Sequence, residues 1–147
     1  MKAKLLALGF SLALALVTVG LSQDAGGTAD GSASSLDGVF TQEQVERAQV
    51  IYDQQCASCH GADLGGSASA PQLSGIGFAF YWNDRSVHEL FDYTKATMPL
   101  TRPGGLGDQE YVDLVALILH ANGAPTGENE LPADEEVLKG ITFETEE

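Results

Sequence analysis

Residues 56–60 read Cys-Ala-Ser-Cys-His, and this pentapeptide contains both cysteines of the 147-residue chain and one of its three histidines. Two cysteines separated by two residues and followed directly by a histidine are compatible with four kinds of site. These are a zinc site, a redox-active dithiol, a disulfide and a covalent haem attachment. Each site requires different surroundings, so the rest of the sequence decides between them.

Three of these sites find little support elsewhere in the chain. A structural zinc site needs four ligands, usually in two pairs, and only the separate His88 and His120 remain to complete it. A thioredoxin-like dithiol is expected beside a βαβ pattern, whereas this motif follows a helical pattern and precedes a glycine-rich loop. A Cys56–Cys59 disulfide is compatible with export, but it would close a very short loop with little stabilising effect and would leave His60 without a role.

The haem attachment gives every residue of the motif a role. Cys56 and Cys59 would form thioethers to the two vinyl groups of one porphyrin, and His60 would bind the iron as proximal ligand. Covalent attachment retains the cofactor on a small exported protein, and a bound haem supplies core that a short chain lacks. We therefore expect one covalent haem c.

Met98 is the best candidate for the second axial ligand. It is the only methionine apart from the initiating Met1, and it lies in KATMPL, residues 95–100, just after a predicted helix and before a proline. His88 is expected at the surface, and His120 lies in the last turn of a predicted helix, where a cation is favoured. A haem with histidine and methionine ligands has both axial positions filled and a raised potential, which suits electron transfer.

The N-terminus has the pattern of a secretory signal peptide. Lys2 and Lys4 precede an apolar run from Leu5 to Leu21, and a small residue, Ser22, follows. We expect residues 1–22 to be a signal peptide that is removed on export. The alternative is an uncleaved membrane anchor, because 17 apolar residues lie at the short limit for spanning a bilayer.

Three helices are predicted, with long loops between them and no convincing strand. Thr41 and Gln44 form a capping box at the first helix start, Ser86 and Glu89 form a second, and Asp108 is expected to cap the third. The expected buried faces are Val45, Ala48 and Tyr52; then Val87, Leu90, Phe91 and Thr94; then Tyr111, Leu114, Val115 and Ile118. The expected fold class is all-α.

Composition divides the chain into a central domain and two atypical ends. Residues 23–38 are rich in Gly, Ser, Ala and Asp and are predicted to be a flexible linker. Residues 39–127 form the predicted domain. Residues 128–147 are strongly acidic and are expected to be too charged for a core element, so this tail either wraps the surface through its few apolar residues or stays mobile.

The net charge restricts the partners. The formal charge is −14, so nucleic acid is excluded as a likely ligand class, since binding it needs a basic surface. An acidic surface favours redox protein partners with basic docking patches, although solubility alone also explains it.

Taken together, residues 39–127 resemble a small class I bacterial cytochrome c. CASCH resembles the haem attachment motif, TMP (97–99) the methionine ligand loop, and APQLSG (70–75) the proline–leucine loop of that family. The resemblance implies a small cytochrome c fold of three main helices wrapped around one covalent haem, in which the first and last helices cross.

The resemblance also implies further residues of the haem pocket. The carbonyl of Pro71 would accept a hydrogen bond from His60, and Leu73 would pack on the haem. Trp82 would donate its indole N–H to a haem propionate, and Arg85 would neutralise one; their ordinary alternatives are an aromatic core residue and a solvated charge.

The stretches 82–119 and 123–134 are similar to cytochromes and cytochrome domains linked to quinoprotein dehydrogenases, except that Leu117 stands where that group often has an aromatic residue.

We expect a periplasmic mono-haem carrier, not an enzyme, that passes one electron from a dehydrogenase or respiratory complex to an acceptor such as a terminal oxidase. One alternative is the electron-accepting cytochrome subunit of a quinoprotein alcohol or sugar dehydrogenase. Another is a haem enzyme or gas sensor in which Met98 does not bind iron. If the N-terminal segment is retained, the protein is anchored in the membrane and faces the periplasm.

Overall fold

The computed structural model describes residues 32–146, so the predicted signal peptide and the first part of the predicted linker lie outside it. The all-α expectation is confirmed, because helices dominate and the strands are two residues long. No helix in the described range is long and apolar enough to cross a membrane. The elements are β1 (Ala33–Ser34), a 3-10 turn (Ser35–Asp37), α1 (Gln42–Gln55), α2 (Ala57–His60), α3 (Ile76–Trp82), α4 (Val87–Thr97), α5 (Asp108–Ala121), α6 (Glu135–Lys139) and β2 (Ile141–Thr142).

The packing of α1 against α5 is the most extensive contact between elements, and it forms the centre of the core. α1 starts at the predicted capping box, in which the Thr41 hydroxyl accepts from the Gln44 N–H. Its buried face contains Val45, Ala48 and Tyr52, as the helical spacing predicts. α5 is buried over nine consecutive residues, 111–119, and not over a single stripe, because elements pack on several of its sides.

The structure confirms the predicted start and end of α4. The Ser86 hydroxyl accepts from the Glu89 N–H at the start, and the helix ends at Thr97. Met98 then has an extended backbone (φ −123°, ψ 155°), as expected for a residue before proline. Met98 is thereby directed away from the helix path, into the loop that leads to α5.

The predicted cap of the third helix is wrong by one residue. Gly107 is the N-cap of α5, and its N–H donates to the Glu110 carboxylate at 2.7 Å. Asp108 instead lies in the first turn, where its carboxylate pairs with Lys95 of α4 at 2.7 Å. Asp108 is the first residue inside the helix and so does not occupy the cap position.

The N-terminal end differs from the linker prediction, whereas the acidic tail follows one of its two expectations and packs through its few apolar residues. Part of the predicted linker is ordered, because β1 pairs in parallel with β2 in the tail, with Ala33 opposite Ile141. The tail packs on the core, since four of its apolar side chains are buried, while most of its acidic residues within the described range are exposed. The buried residues are Leu131, Leu138, Ile141 and Phe143. High charge density did not prevent packing, because four well-placed apolar side chains suffice to attach the segment.

A buried polar cluster attaches the start of the tail to α1 and α5. The Gln44 amide donates to the Asp113 carboxylate at 3.1 Å and to the Leu131 carbonyl at 3.0 Å, and its oxygen accepts from the Leu131 N–H at 2.7 Å. Arg47 closes the cluster with an ion pair to Asp113 at 2.9 Å. Each buried polar group therefore has a partner, as stable burial requires.

Candidate functional site

One cavity of about 970 Å³ lies between α2, α3, α4, α5 and the loops that connect them. Tyr111, Leu114 and Ile118 of α5 form part of its wall, and most of the wall is apolar. His88 and His120 are not on it. All eight residues that the sequence indicates for the site line this cavity, although they span 43 positions: Cys56, Cys59, His60, Pro71, Leu73, Trp82, Arg85 and Met98.

The junction of α1 and α2 positions the two cysteines. The Cys56 N–H donates to the Tyr52 carbonyl at 2.8 Å, and the Cys56 carbonyl accepts from the N–H groups of Cys59 and His60 at 3.0 Å. The two thiols are not joined in a disulfide; Cys56 is half-buried and Cys59 is exposed. Burial, and then the neighbouring Cys59, raise the pKa of the Cys56 thiol to about 11, so this thiol stays protonated near neutral pH. A thiol of that kind is a poor redox nucleophile, which disfavours a dithiol exchange site.

The imidazole of His60 is buried and has a defined tautomer. Its Nδ1 lies 2.8 Å from the carbonyl oxygen of Pro71. Because a carbonyl oxygen only accepts, Nδ1 must carry the proton, and in the neutral ring the lone pair is then on Nε2. This is the arrangement in which an imidazole binds a metal through Nε2 while its other nitrogen is held by a backbone carbonyl.

The loop that carries Pro71 is held from two sides. The Gly66 N–H donates to the His60 carbonyl at 2.8 Å, and a Cβ at Gly66, which has φ +82°, would lie 2.5 Å from the Gln72 nitrogen. On the other side the Asn122 amide donates to the Leu73 carbonyl at 2.9 Å. The sequence did not indicate Asn122 for the site, because this contact joins residues 49 positions apart.

Met98 reaches the cavity from the loop after α4. Its backbone carbonyl accepts a hydrogen bond of 2.7 Å from the hydroxyl of Tyr111, a fully buried residue of α5. The same hydroxyl accepts from the Leu106 N–H at 3.4 Å, so Tyr111 joins the two ends of this loop. From the sequence, Tyr111 was only a core residue of a helical stripe, since the spacing does not reveal what its hydroxyl contacts.

Trp82 and Arg85 lie together on the cavity wall. The Arg85 guanidinium lies 4.9 Å from the centre of the Trp82 ring, at a distance typical of a cation–π contact. Arg85 also donates to the Glu89 carboxylate at 2.8 Å, and this contact lowers the pKa of Glu89. The Trp82 ring packs on Phe78, with ring centres 6.0 Å apart. The wall here thus combines a cation with an aromatic cluster.

Comparison with known proteins identifies the family. The family described as cytochrome c oxidase, cbb3-type, subunit III matches residues 43–118, just over half of the chain. The chain belongs to this cytochrome c family. The resemblance drawn from CASCH and its companion motifs is therefore confirmed. A cytochrome c domain implies covalent haem c and electron transfer, so both apply to this chain.

No curated protein matches the cytochrome. Among solved structures, the crystal structure of the sulfane dehydrogenase SoxCD from Paracoccus pantotrophus is similar at 21% identity, with a TM-score of 0.45. The alignment covers 72% of this chain. The cytochrome spans 60% of the length of that chain.

The residues around the cavity of the cytochrome fit a haem better than a bare metal ion. In the range 32–146 no three side chains among His, Cys, Asp and Glu are grouped so that they could hold an ion. The cavity wall instead contains the His60 imidazole with a free Nε2 and the Met98 thioether. It also contains the thiols of Cys56 and Cys59, which lie within one turn of chain. Imidazole and thioether are the axial ligands of cytochrome c iron, and the apolar wall suits a porphyrin.

Proposed function

We propose that this cytochrome is an exported, mono-haem carrier that moves one electron at a time between a donor and an acceptor protein. The observation that carries the proposal is the convergence of CASCH, the Pro71 carbonyl and Met98 on one cavity. The single pair of cysteines in the chain supports a single haem. We propose the periplasm as its location, because the N-terminus has the pattern of a signal peptide.

In this proposal the chain supplies attachment, ligation and a dry pocket. Cys56 and Cys59 would form the thioethers, and Nε2 of His60 and the sulfur of Met98 would bind the iron. Haem c, when bound, supplies a one-electron redox couple. The hydrogen bond from His60 to Pro71 keeps the imidazole in the ligating tautomer.

The same residues favour a carrier over an enzyme. If Met98 fills the second axial position, no site on the iron is open to oxygen or to a substrate. The backbone contact between Met98 and Tyr111 restrains the loop that presents the thioether. The alternative of a haem enzyme or gas sensor requires this loop to leave the iron open.

Spectroscopy on the holoprotein tests the proposal. The oxidised protein should show the weak near-red absorption band of methionine–iron ligation, and the reduced protein should bind carbon monoxide poorly. In Met98→Ala the band should be lost, carbon monoxide should bind, and the potential should fall. Thr101→Ala, at an exposed position on the same loop that does not line the cavity, serves as control and should leave all three unchanged. A colourless protein after co-expression with haem-attachment machinery would refute the proposal.

The partners are proposed from charge and resemblance. The formal charge of −14 favours redox partners with basic docking patches, such as a donor dehydrogenase or respiratory complex and a terminal oxidase. The alternative role, as electron-accepting subunit of a quinoprotein alcohol or sugar dehydrogenase, is favoured by the resemblance of residues 82–119 and 123–134 to that group. Stable co-purification with a large dehydrogenase would support the subunit, whereas a protein that purifies alone and shows salt-sensitive transfer would support the carrier.

A further inference from the structure

The acidic C-terminal tail reaches the back of the cavity wall through one aromatic residue. Phe143 is fully buried, and its ring meets the Phe78 ring edge-on, with centres 5.8 Å apart and planes at 75°. Phe78 in turn packs on Trp82. Phe78 and Trp82 line the cavity, whereas Phe143 does not. The three rings therefore form a continuous series of aromatic contacts from the tail to the cavity.

Backbone hydrogen bonds fix Phe143 to the same wall. The Asp84 N–H donates to the Phe143 carbonyl at 3.0 Å, and the Phe143 N–H donates to the Arg85 carbonyl at 2.8 Å. Residues 83–86 connect α3 to α4 and directly follow Trp82. The tail therefore contacts both the aromatic rings of α3 and the turn that connects α3 to α4.

The tail itself is held from the opposite side by the N-terminal segment. The Glu144 N–H donates to the Ser35 hydroxyl at 2.9 Å, and that hydroxyl donates back to the Glu144 carbonyl at 3.0 Å. Ser35 is fully buried, and β1 pairs with β2 just before Phe143. Phe143 therefore has little freedom to move away from the wall.

α3 has few other attachments to the core. Phe78 is the only one of its seven residues that is buried, and Ile76, Phe80 and Tyr81 are mostly exposed. A helix this short is not stable alone and depends on its tertiary contacts. The Phe143–Phe78 contact is consequently a main restraint on the position of α3.

We propose that Phe143 is a positioning residue for the haem pocket: it holds Phe78 and Trp82 against the cavity and keeps water off that wall. This inference rests on the proposed haem function. Removal of the ring loosens α3 and admits water. Water favours the oxidised iron, which carries one more positive charge, so the potential falls.

The test compares three variants of the holoprotein. Phe143→Ala removes the ring, and Phe143→Leu keeps apolar volume without the aromatic edge. Leu131→Ala is the matched control, because Leu131 is an equally buried tail residue that contacts Gln44 and does not line the cavity. Redox titration gives the midpoint potential, amide hydrogen exchange gives the local opening of residues 76–86, and denaturant unfolding gives global stability.

We expect Phe143→Ala and Leu131→Ala to lose similar stability, but only Phe143→Ala to lower the potential and to speed exchange in residues 76–86 by tenfold or more relative to Leu131→Ala. Phe143→Leu should show the same changes in smaller degree. Equal potentials and equal local exchange in Phe143→Ala and Leu131→Ala would overturn the inference. If Phe143→Ala yields no folded protein, Phe143→Leu decides, and exchange in residues 76–86 no faster than in Leu131→Ala would overturn it. A wild-type protein without haem would instead refute the proposed function, and local exchange would still test the role of Phe143.

Discussion

The hydroxyl of Tyr111 donates a 2.7 Å hydrogen bond to the backbone carbonyl of Met98, and so joins the buried face of α5 to the loop of the proposed second axial ligand. The two residues are 13 positions apart, on either side of a turn-rich loop. A thioether on a loop can leave a metal when the loop moves. The contact therefore links the packing of the core to the ligation of the iron.

Tyr111→Phe should weaken methionine ligation and lower the free energy of unfolding without preventing folding. It removes one buried hydrogen bond to Met98 and an acceptor for the Leu106 N–H, so we expect a loss of about 1–2 kcal/mol in the free energy of unfolding. The near-red band should weaken and carbon monoxide should bind faster to the reduced protein. Tyr52→Phe is the control, because it loses a comparable bond to the Gly61 carbonyl near the other ligand. Equal effects of both variants on the band would argue against a specific role for Tyr111.

Gly66→Ala should disrupt the loop that holds His60. The residue has φ +82°, which alone costs about 1–3 kcal/mol for a residue with a side chain, and the new Cβ would lie 2.5 Å from the Gln72 nitrogen. The loop carrying Pro71 must shift, so His60 should lose its acceptor. We expect lower stability and a lower yield of haem-loaded protein.

Gly65→Ala is the matched control for that substitution. Its Cβ would lie 3.0 Å from a carboxylate oxygen of Asp63, an exposed and flexible side chain that can move away. It should express and load haem as the wild type does. If Gly66→Ala behaves in the same way, the loop is more adaptable than its contacts with Gln72 indicate.

The parts of the site that could be predicted are those that depend on residues close together in the sequence. CASCH, the capping boxes at Thr41 and Ser86, and the proline after Met98 each act within a few residues, so their spacing indicates their geometry. The family match also confirms the cytochrome c reading of these motifs. Local patterns, together with the family resemblance, indicated the fold class and eight of the residues that line the cavity.

The parts that were missed depend on contacts between distant residues. Asn122 holds Leu73 across 49 positions, and Phe143 packs on Phe78 across 65. The tail was expected to be too charged for the core, but hydrophobic burial depends on where apolar side chains fall and not on mean composition. A sequence pattern over a few residues indicates neither the Asn122–Leu73 contact nor the Phe143–Phe78 contact.

The Tyr52 hydroxyl should lose its proton at a higher pH than an ordinary tyrosine. The free energy of unfolding should therefore fall at alkaline pH. Burial, and then the nearby acidic groups, raise the pKa of its hydroxyl to about 12 from an ordinary value of 10.0. The folded state thus keeps a proton that the unfolded state loses, so stability is full below about pH 10 and falls as the pH rises towards 12. Phenolate absorbance of the holoprotein should contain a component near pH 12 that is absent in Tyr52→Phe. Tyr81→Phe, at an exposed tyrosine, should keep the late component; its loss in that variant would contradict the assignment.

Asp113 and Glu130 both pair with Arg47. Because the two carboxylates are unequally buried, they should contribute unequally to the free energy of unfolding. The Asp113 side chain is 4% exposed and that of Glu130 is 52% exposed. Asp113→Ala leaves the buried Gln44 amide without its carboxylate partner, so we expect a loss of about 2–3 kcal/mol in the free energy of unfolding. Glu130→Ala should cost about 0–1 kcal/mol, because water screens an exposed pair. Urea unfolding of the holoproteins measures both values. Equal losses would mean that Arg47, and not the buried cluster around Gln44, attaches the tail to α1 and α5.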